Sequence, residues 1–571
     1  MLTGIHGNRV LILLIVIVTL FVQASQCRSS IPEPFVPDQT PPSVRFIGLH
    51  YYSRTFNQVP IPVKASDDTG VSRVELYVDQ VLFATNNVSP NMTDVLVNFN
   101  LASASTGKHW LQAKAYDAAG NVQTTGLVVL SRNLPPPTGN NISVIPSIRY
   151  QTIQGWEAAD QAAQLYSPAW NNYRNLLLDL AVNDLGLNRI RLEIKAGVEN
   201  PTDYFTQWRN GQITETQYNA KRYEIINDNA DPNSTNTNGF KWAQLDSSIN
   251  SIVIPMRQRL QARGESLWVN LNYVDFGSST FEHKSSPAEY AEFVLATYQH
   301  MQSTFGFVPD TWEVILEPDT STANWTSTQV AQALKAAGDK LAANGFTPNF
   351  TAPSTTNAAN APLFIDQIVQ TAGALAYVGE FSYHRYCCAS ETVLQNIANR
   401  GVLFNKRTAM LEWIGADHTT LHQDIKMGRT SSWQQFCLAG PTSWGPDSGD
   451  RYYIIDDSNP AAPVISIGSR TKFLRQYFKF VRAGAQRVEA LTGNPDFDPL
   501  AFINANGKYV AVVQASTGGT FNVSGLPGGI YGIKYTTASQ YNIDATDVTL
   551  AAGQSLQANI PAAGVITIYA K

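Results

Sequence analysis

Thr311-Trp-Glu-Val-Ile-Leu-Glu-Pro-Asp319 is an apolar, strand-like run that stops on a carboxylate followed by proline. Proline has no amide proton for a sheet ladder, so the strand is expected to close there. A carboxylate left at the carboxyl end of an inward-packed strand stands where (β/α)8 barrels gather their reactive groups. Arg407-Thr-Ala-Met-Leu-Glu-Trp413 has the same form, and its Glu412 follows Glu317 by 95 residues. Two strand-end glutamates of this kind predict a pair.

Outward from this stretch, strand-like and helical runs alternate. The strand candidates are Gln151–Trp156, Asn188–Ile194, Ser266–Asn272, the Glu317 run, Asn349–Pro353, Tyr377–His384, the Glu412 run and Trp433–Trp444. Between them, apolar residues recur at helical spacing over Trp170–Leu185, Trp242–Arg263, Pro287–Phe305, Thr326–Ala343, Phe364–Gly373 and Glu391–Arg400. This alternation predicts a (β/α)8 TIM barrel over 151–484. Short alternating runs broken by Asp/Gly turns predict one β-sandwich at 42–134 and another at 485–571, with 142–150 adding a strand to the second. The proline-rich 28–41 and 135–141 stretches are expected to be linkers. In the first sandwich, Ala115-Tyr-Asp117 followed by the Gly120-Asn121 turn resembles bacterial immunoglobulin-like modules, which implies a spacer. The chain is thus expected to be multidomain.

Net charge is −5, and charged residues make up 15% of the chain against 11% aromatics. This excludes the clustered basic footprint of a nucleic-acid partner and suits stacking surfaces. Arg9 precedes an uncharged run from Val10 to Val22 and then small, polar residues, the pattern of a signal peptide over 1–27 cleaved between Ala24 and Cys27. The product would be secreted or cell-surface. Any membrane attachment would come from that segment left uncleaved, or from a lipid on Cys27. Beyond it, Cys387, Cys388 and Cys437 are odd in number: either one bridge joins the adjacent pair to Cys437, or all three are idle thiols. No metal ligand set and no cofactor follow from them.

Two carboxyl groups across a barrel mouth suit glycosidic hydrolysis. One donates a proton to the leaving oxygen while the other attacks, or directs water to, the anomeric carbon. Strand-end glutamates on the fourth and seventh strands resemble the clan A glycoside hydrolases. The opening Gln151-Thr-Ile-Gln-Gly-Trp-Glu-Ala-Ala159 and the stretch Gln476-Tyr-Phe-Lys-Phe-Val-Arg-Ala-Gly-Ala-Gln-Arg487 are similar to glycoside hydrolase family 30. The resemblance spans 141–571. It implies a retaining mechanism on a β-linked polysaccharide or oligosaccharide, with Glu317 as acid/base and Glu412 as nucleophile. It also implies Arg191 beside the nucleophile, and His384 and Tyr386 on the sugar side.

Leu316 departs from the clan, which has asparagine there for the sugar 2-hydroxyl. Either Asn270 or Asn272 takes over, or the register is shifted. Trp156, Trp413 and Trp444 are candidate sugar platforms, since flat apolar ring faces stack on aromatics. Glu193 and Glu313, placed inside their strands, are expected to be ion-pair partners. The Leu316 departure and the appended module also motivate an alternative, a non-catalytic carbohydrate-binding or adhesion protein on a degenerate barrel.

Overall fold

The computed structural model describes residues 38–46, 53–55, 60–89, 92–101, 107–125, 128–132, 136–277 and 279–571. The signal peptide, the lipid reading of Cys27 and most of the 28–41 linker lie outside the described residues. Two compact units are present, one gathering Pro60–Asn100 and Gln112–Thr125, the other containing Gly126–Lys571.

In the first unit, Ser43–Phe46, Pro60–Ser66 and Asp94–Asn100 form a three-stranded antiparallel sheet. Val95, Val97 and Phe99 are buried and the residues between them exposed, the period-2 pattern of a strand covered on one face. Val71–Val78 pairs with Val81–Asn87. Aspartates shape the turns. Asp67 Oδ1 accepts from the Thr69 and Gly70 amides, and Asp117 Oδ1 accepts from the Asn121 amide.

The second unit is built on a barrel. Gly155–Ala159, Arg189–Lys195, Trp268–Val274, Thr311–Glu313, Phe350–Asn357, Val378–Cys387, Arg407–Glu412 and Thr430–Pro441 pair in parallel in chain order. Gly155–Ala159 also pairs with Thr430–Pro441, which closes the ring. Helix Pro287–Phe305 begins on proline, whose missing N–H costs nothing in a first turn, and stops at Gly306 with φ 74°. Ser327–Ala343 opens with a reciprocal cap between Thr326 and Gln329. The runs Trp170–Leu185 and Trp242–Arg263 differ from simple helices. Each widens into a π-helical turn, at Leu180–Leu185 and Ile249–Val253, which in the first case brings Ala181, Val182 and Leu185 all inward.

The strand before Glu317 is shorter than its apolar run. It ends at Glu313, and Val314, Ile315 and Leu316 are buried loop residues. Their amides still reach the neighbouring strands, Val314 to the Thr351 carbonyl at 3.2 Å and Leu316 to that of Tyr273 at 2.9 Å. Glu317 donates its amide to the Ser354 carbonyl at 3.2 Å and turns into the left-handed region, φ 52°. Its carboxylate therefore leaves from a tethered turn at the barrel mouth.

Asn141–Thr152 pairs antiparallel with Gln486–Thr492 and parallel with Gly519–Ser524, inside a nine-stranded sheet made otherwise of residues after the barrel. Val523 and Leu556 near one edge share a core with Ile533 and Ile568 near the other, so this sheet folds over its own apolar face. Phe502, Val512 and Val565 on its other face join the barrel core together with Tyr477 and Phe478. Gln476 ties the two, donating to Thr536 Oγ1 at 3.0 Å while its carbonyl accepts from Thr567.

The barrel floor is charged. Buried Arg189 donates to Glu157 at 2.7 Å and to both oxygens of Glu380 at 3.2 and 2.9 Å. Ser432 Oγ and Arg407 Nε complete the shell of Glu380 at 2.9 and 3.3 Å. Burial alone would raise the Glu380 carboxyl, but the Arg189 and Arg407 cations outweigh it and hold it below the ordinary carboxylate range.

Candidate active site

The inward residues of Arg189–Lys195 climb from this floor to the mouth as Arg189, Arg191, Glu193 and Lys195, because side chains alternate along a strand. Arg191 Nη2 donates to Glu412 Oε2 at 2.6 Å, and Nη1 to the Leu411 carbonyl at 3.3 Å. The Tyr386 hydroxyl donates to the other oxygen, Oε1, at 2.8 Å. Both oxygens of Glu412 are therefore held by donors. Burial would lower Arg191, but the carboxylates of Glu412, Glu313 and Glu193 hold it above the ordinary guanidinium value. Burial and the charge of Glu412 push the Tyr386 phenol well up, so it keeps its proton.

Glu317 lies close to Glu412. Its Oε1 meets His384 Nδ1 at 2.9 Å, and one ligand atom each of Glu317, His384 and Glu412 lie within 4.8 Å of one another. Burial pushes the Glu317 carboxyl up, but the hydrogen bond and charge of His384 outweigh it and leave it below its ordinary value. Burial likewise lowers His384, yet the Glu317 bond and the charges of Glu412, Glu317 and Glu313 carry it above 6.5. The hydrogen bond between them therefore favours the charged form of each, imidazolium and carboxylate. Arg191, His384, Tyr386, Glu317 and Glu412 thus form one constellation.

Asn270 does not stand at the mouth. It is buried near the floor and donates to Glu157 Oε1 at 3.2 Å and Glu313 Oε2 at 3.0 Å. Asn272 lies one layer higher, in register with Glu193 and Glu313, and neither of its side-chain polar atoms has a partner among the described residues. Glu313 sits at its strand end and takes its hydrogen bond from Asn270, while burial raises its carboxyl. Glu193 pairs with Lys195 and lies 3.8 Å from Arg191.

Trp156 is not a platform. It is 1% exposed, stacks on Phe478 at 4.5 Å and donates its indole N–H to the Val481 carbonyl. A strand-start indole in a ring closed on both sides is core by position. Trp413 is half-buried beside Glu412, with the Arg385 guanidinium 5.6 Å from its ring. Trp444 is exposed and meets Tyr166 edge-on at 6.2 Å.

Tyr166 and Trp444, together with Trp208, Tyr218, Asp160, Glu193 and Arg222, line a cavity of about 450 Å³. Glu193 joins it to the centre, since Arg191 lies between Glu193 and Glu412. Burial raises Asp160 to about 6. Sequence reasoning missed Tyr166, Trp208 and Tyr218. The signal available was three aromatics in loop stretches otherwise rich in polar residues. Cys387 and Cys388 are bonded to each other, and Cys437 is a separate buried thiol against Gln161 Oε1 at 3.1 Å. The bridge to Cys437 is therefore not formed.

No family model and no curated protein matches the chain. Solved structures do. A GH30 endoxylanase from Clostridium papyrosolvens C71 is 16% identical with a TM-score of 0.53, covering 76% of this chain and 100% of its own. GH30 xylanase C from Talaromyces cellulolyticus is 15% identical with a TM-score of 0.54 over 76% and 100%. An endo-β1,6-glucanase is 16% identical with a TM-score of 0.53 over 77% and 97%. The likeness is one of fold, a GH30-like barrel.

Proposed function

We propose that the protein is a glycoside hydrolase cleaving a β-linked polysaccharide or oligosaccharide with retention. The observation that carries this reading is the convergence of Glu317 and Glu412, an oxygen of each within 4.8 Å of the other. Retaining enzymes hold their carboxyls about 5 Å apart, whereas direct attack by water needs roughly 6.5 to 9.5 Å. A Glu412 oxygen forms a bond to the anomeric carbon as the glycosidic C–O bond breaks, and Glu317 passes a proton to the leaving oxygen. Water then returns a proton to Glu317 and attacks the same carbon, and Glu412 departs with its electron pair, received again by Arg191 and Tyr386.

The fold is shared with xylanases and an endo-β1,6-glucanase, so β-linked glycans are the first substrates to test. New reducing ends from a panel of β-glucans, xylans, galactans and mannans, with the β-anomer formed first by NMR, are the expected result. Binding of a glycan with no cleavage of any would leave the adhesion reading. Export through 1–27 and an immunoglobulin-like spacer at 42–134 belong to the same proposal on sequence grounds.

His384 sets the expected pH profile. Its raised affinity keeps its proton above the ordinary imidazole value of 6.5, so kcat/KM holds through neutrality and falls as pH rises through that raised value. In His384→Asn the imidazole is gone, and the alkaline limb moves to lower pH. An unmoved limb would place the proton elsewhere.

Asn272 is expected to bond the sugar 2-hydroxyl in place of the missing asparagine. Asn272→Ala should lower kcat/KM by about 10- to 100-fold, the worth of one hydrogen bond to a charge-developing group. Asn270→Ala should instead show its main effect in thermal unfolding, because Asn270 serves the floor.

A further inference from the structure

The loop after the second barrel strand carries Asp228, and helix Pro287–Phe305 carries Glu289 and Glu292 one turn apart on one face. One carboxylate oxygen of each lies within 4.8 Å of the others. Acidic neighbours alone mean little, but Glu292 sets this group apart. It is 1% exposed, and neither of its carboxylate oxygens makes a hydrogen bond of good geometry among the described residues, with the Thr235 and Glu289 side chains its polar neighbours. Asp228 Oδ1 and Asn227 Oδ1 are also buried and unpaired. No lysine or arginine among the described residues forms an ion pair with any of the three carboxylates. Buried acids ordinarily find N–H donors or cations. Buried carboxylate oxygens of Asp228 and Glu292, drawn up to Glu289 with no positive partner, have the make-up of a cation site.

We propose that Asp228, Glu289 and Glu292 bind a calcium ion that fastens the 195–239 loop to helix Pro287–Phe305. The donors are all hard oxygens, which suits calcium or magnesium and not zinc or copper. Oxygens within 4.8 Å of one another can all reach one calcium ion, whose bonds of about 2.3–2.6 Å and flexible geometry suit a site shared by a loop and a helix. The loop is arranged to present Asp228. Its amide donates to Glu199 Oε1 at 3.0 Å, and its Oδ2 accepts from Asn229 Nδ2 at 2.9 Å, leaving Oδ1 for the ion. The same loop holds Trp208, Tyr218 and Arg222 on the 450 Å³ cavity, so the ion would steady one wall of it. A shared proton is the competing occupant, since burial raises Glu289 and takes Glu292 to about 7.

The test is calcium titration by calorimetry into the full chain, dialysed against EDTA and then into chelator-free buffer at pH 7.5, with thermal unfolding followed in parallel. One ion per chain is expected, with Tm raised by about 3–5 °C at saturation. Glu292→Gln should lose both responses, and Asp228→Asn should weaken binding at least about tenfold. Should Glu292→Gln fail to fold, Asp228→Asn carries the comparison. No calcium binding by the full chain, binding unchanged in Asp228→Asn, or a Tm that follows pH and ignores calcium would each overturn the proposal.

Discussion

Replacing Glu412 by alanine is expected to lower turnover by about 10⁴-fold or more and leave the fold intact, since no neighbouring group can form the same bond to the anomeric carbon. Both donors of Glu412 then face an anion-sized gap, with Arg191 still close to Glu193. Azide fits that gap and should restore turnover on an activated aryl glycoside, giving a glycosyl azide of inverted configuration. Glu317→Ala should behave differently. Its loss, about 10²- to 10⁴-fold on the natural linkage, should shrink with a leaving group that needs no proton. Full activity in either variant, by reducing-end assay with circular dichroism as the fold check, would remove the catalytic reading.

Arg189→Met is expected to destabilise the chain by about 3–5 kcal/mol, measured by denaturant unfolding. Methionine fills much of the volume but leaves Glu157 and Glu380 facing each other with no cation between them. Arg407 approaches only Glu380, at 3.3 Å, and cannot serve both. The pH dependence should also reverse. In the native chain Glu380 is depressed, so its contribution is present above 4.5 and lost as pH falls through its folded value. In the variant the unpaired carboxyls are held best when protonated, so the deficit should be smaller at pH 5 than at pH 8. An equal deficit at both would mean that the floor works by packing alone.

Much of the barrel was legible because its signals are local. Pro287 and Gly306 bound a helix at the expected residues, and Glu412 ends its strand as its pattern implies. Glu317 was legible as a mouth residue but not as a left-handed turn, because burial makes Val314 to Leu316 look like strand whatever their geometry. Trp156 misled for a related reason. A tryptophan at a strand start suits core or platform equally, and the choice fell to Phe478, more than 300 residues away. The His384–Glu317 hydrogen bond, the separate environments of Asn270 and Asn272, and the meeting of Asp228 with Glu289 and Glu292 depend on contacts between distant segments. No spacing records them.

During synthesis Asn141–Thr152 emerges long before its ladder partner, and the Tyr150–Glu489 hydrogen bond spans 339 positions. Until Gln486–Thr492 arrives, that early segment is an unmatched edge open to wrong neighbours. The barrel and its companion sheet should therefore mature as one late event, and a chain severed between residues 152 and 485 should yield two fragments that each lack half of a seam.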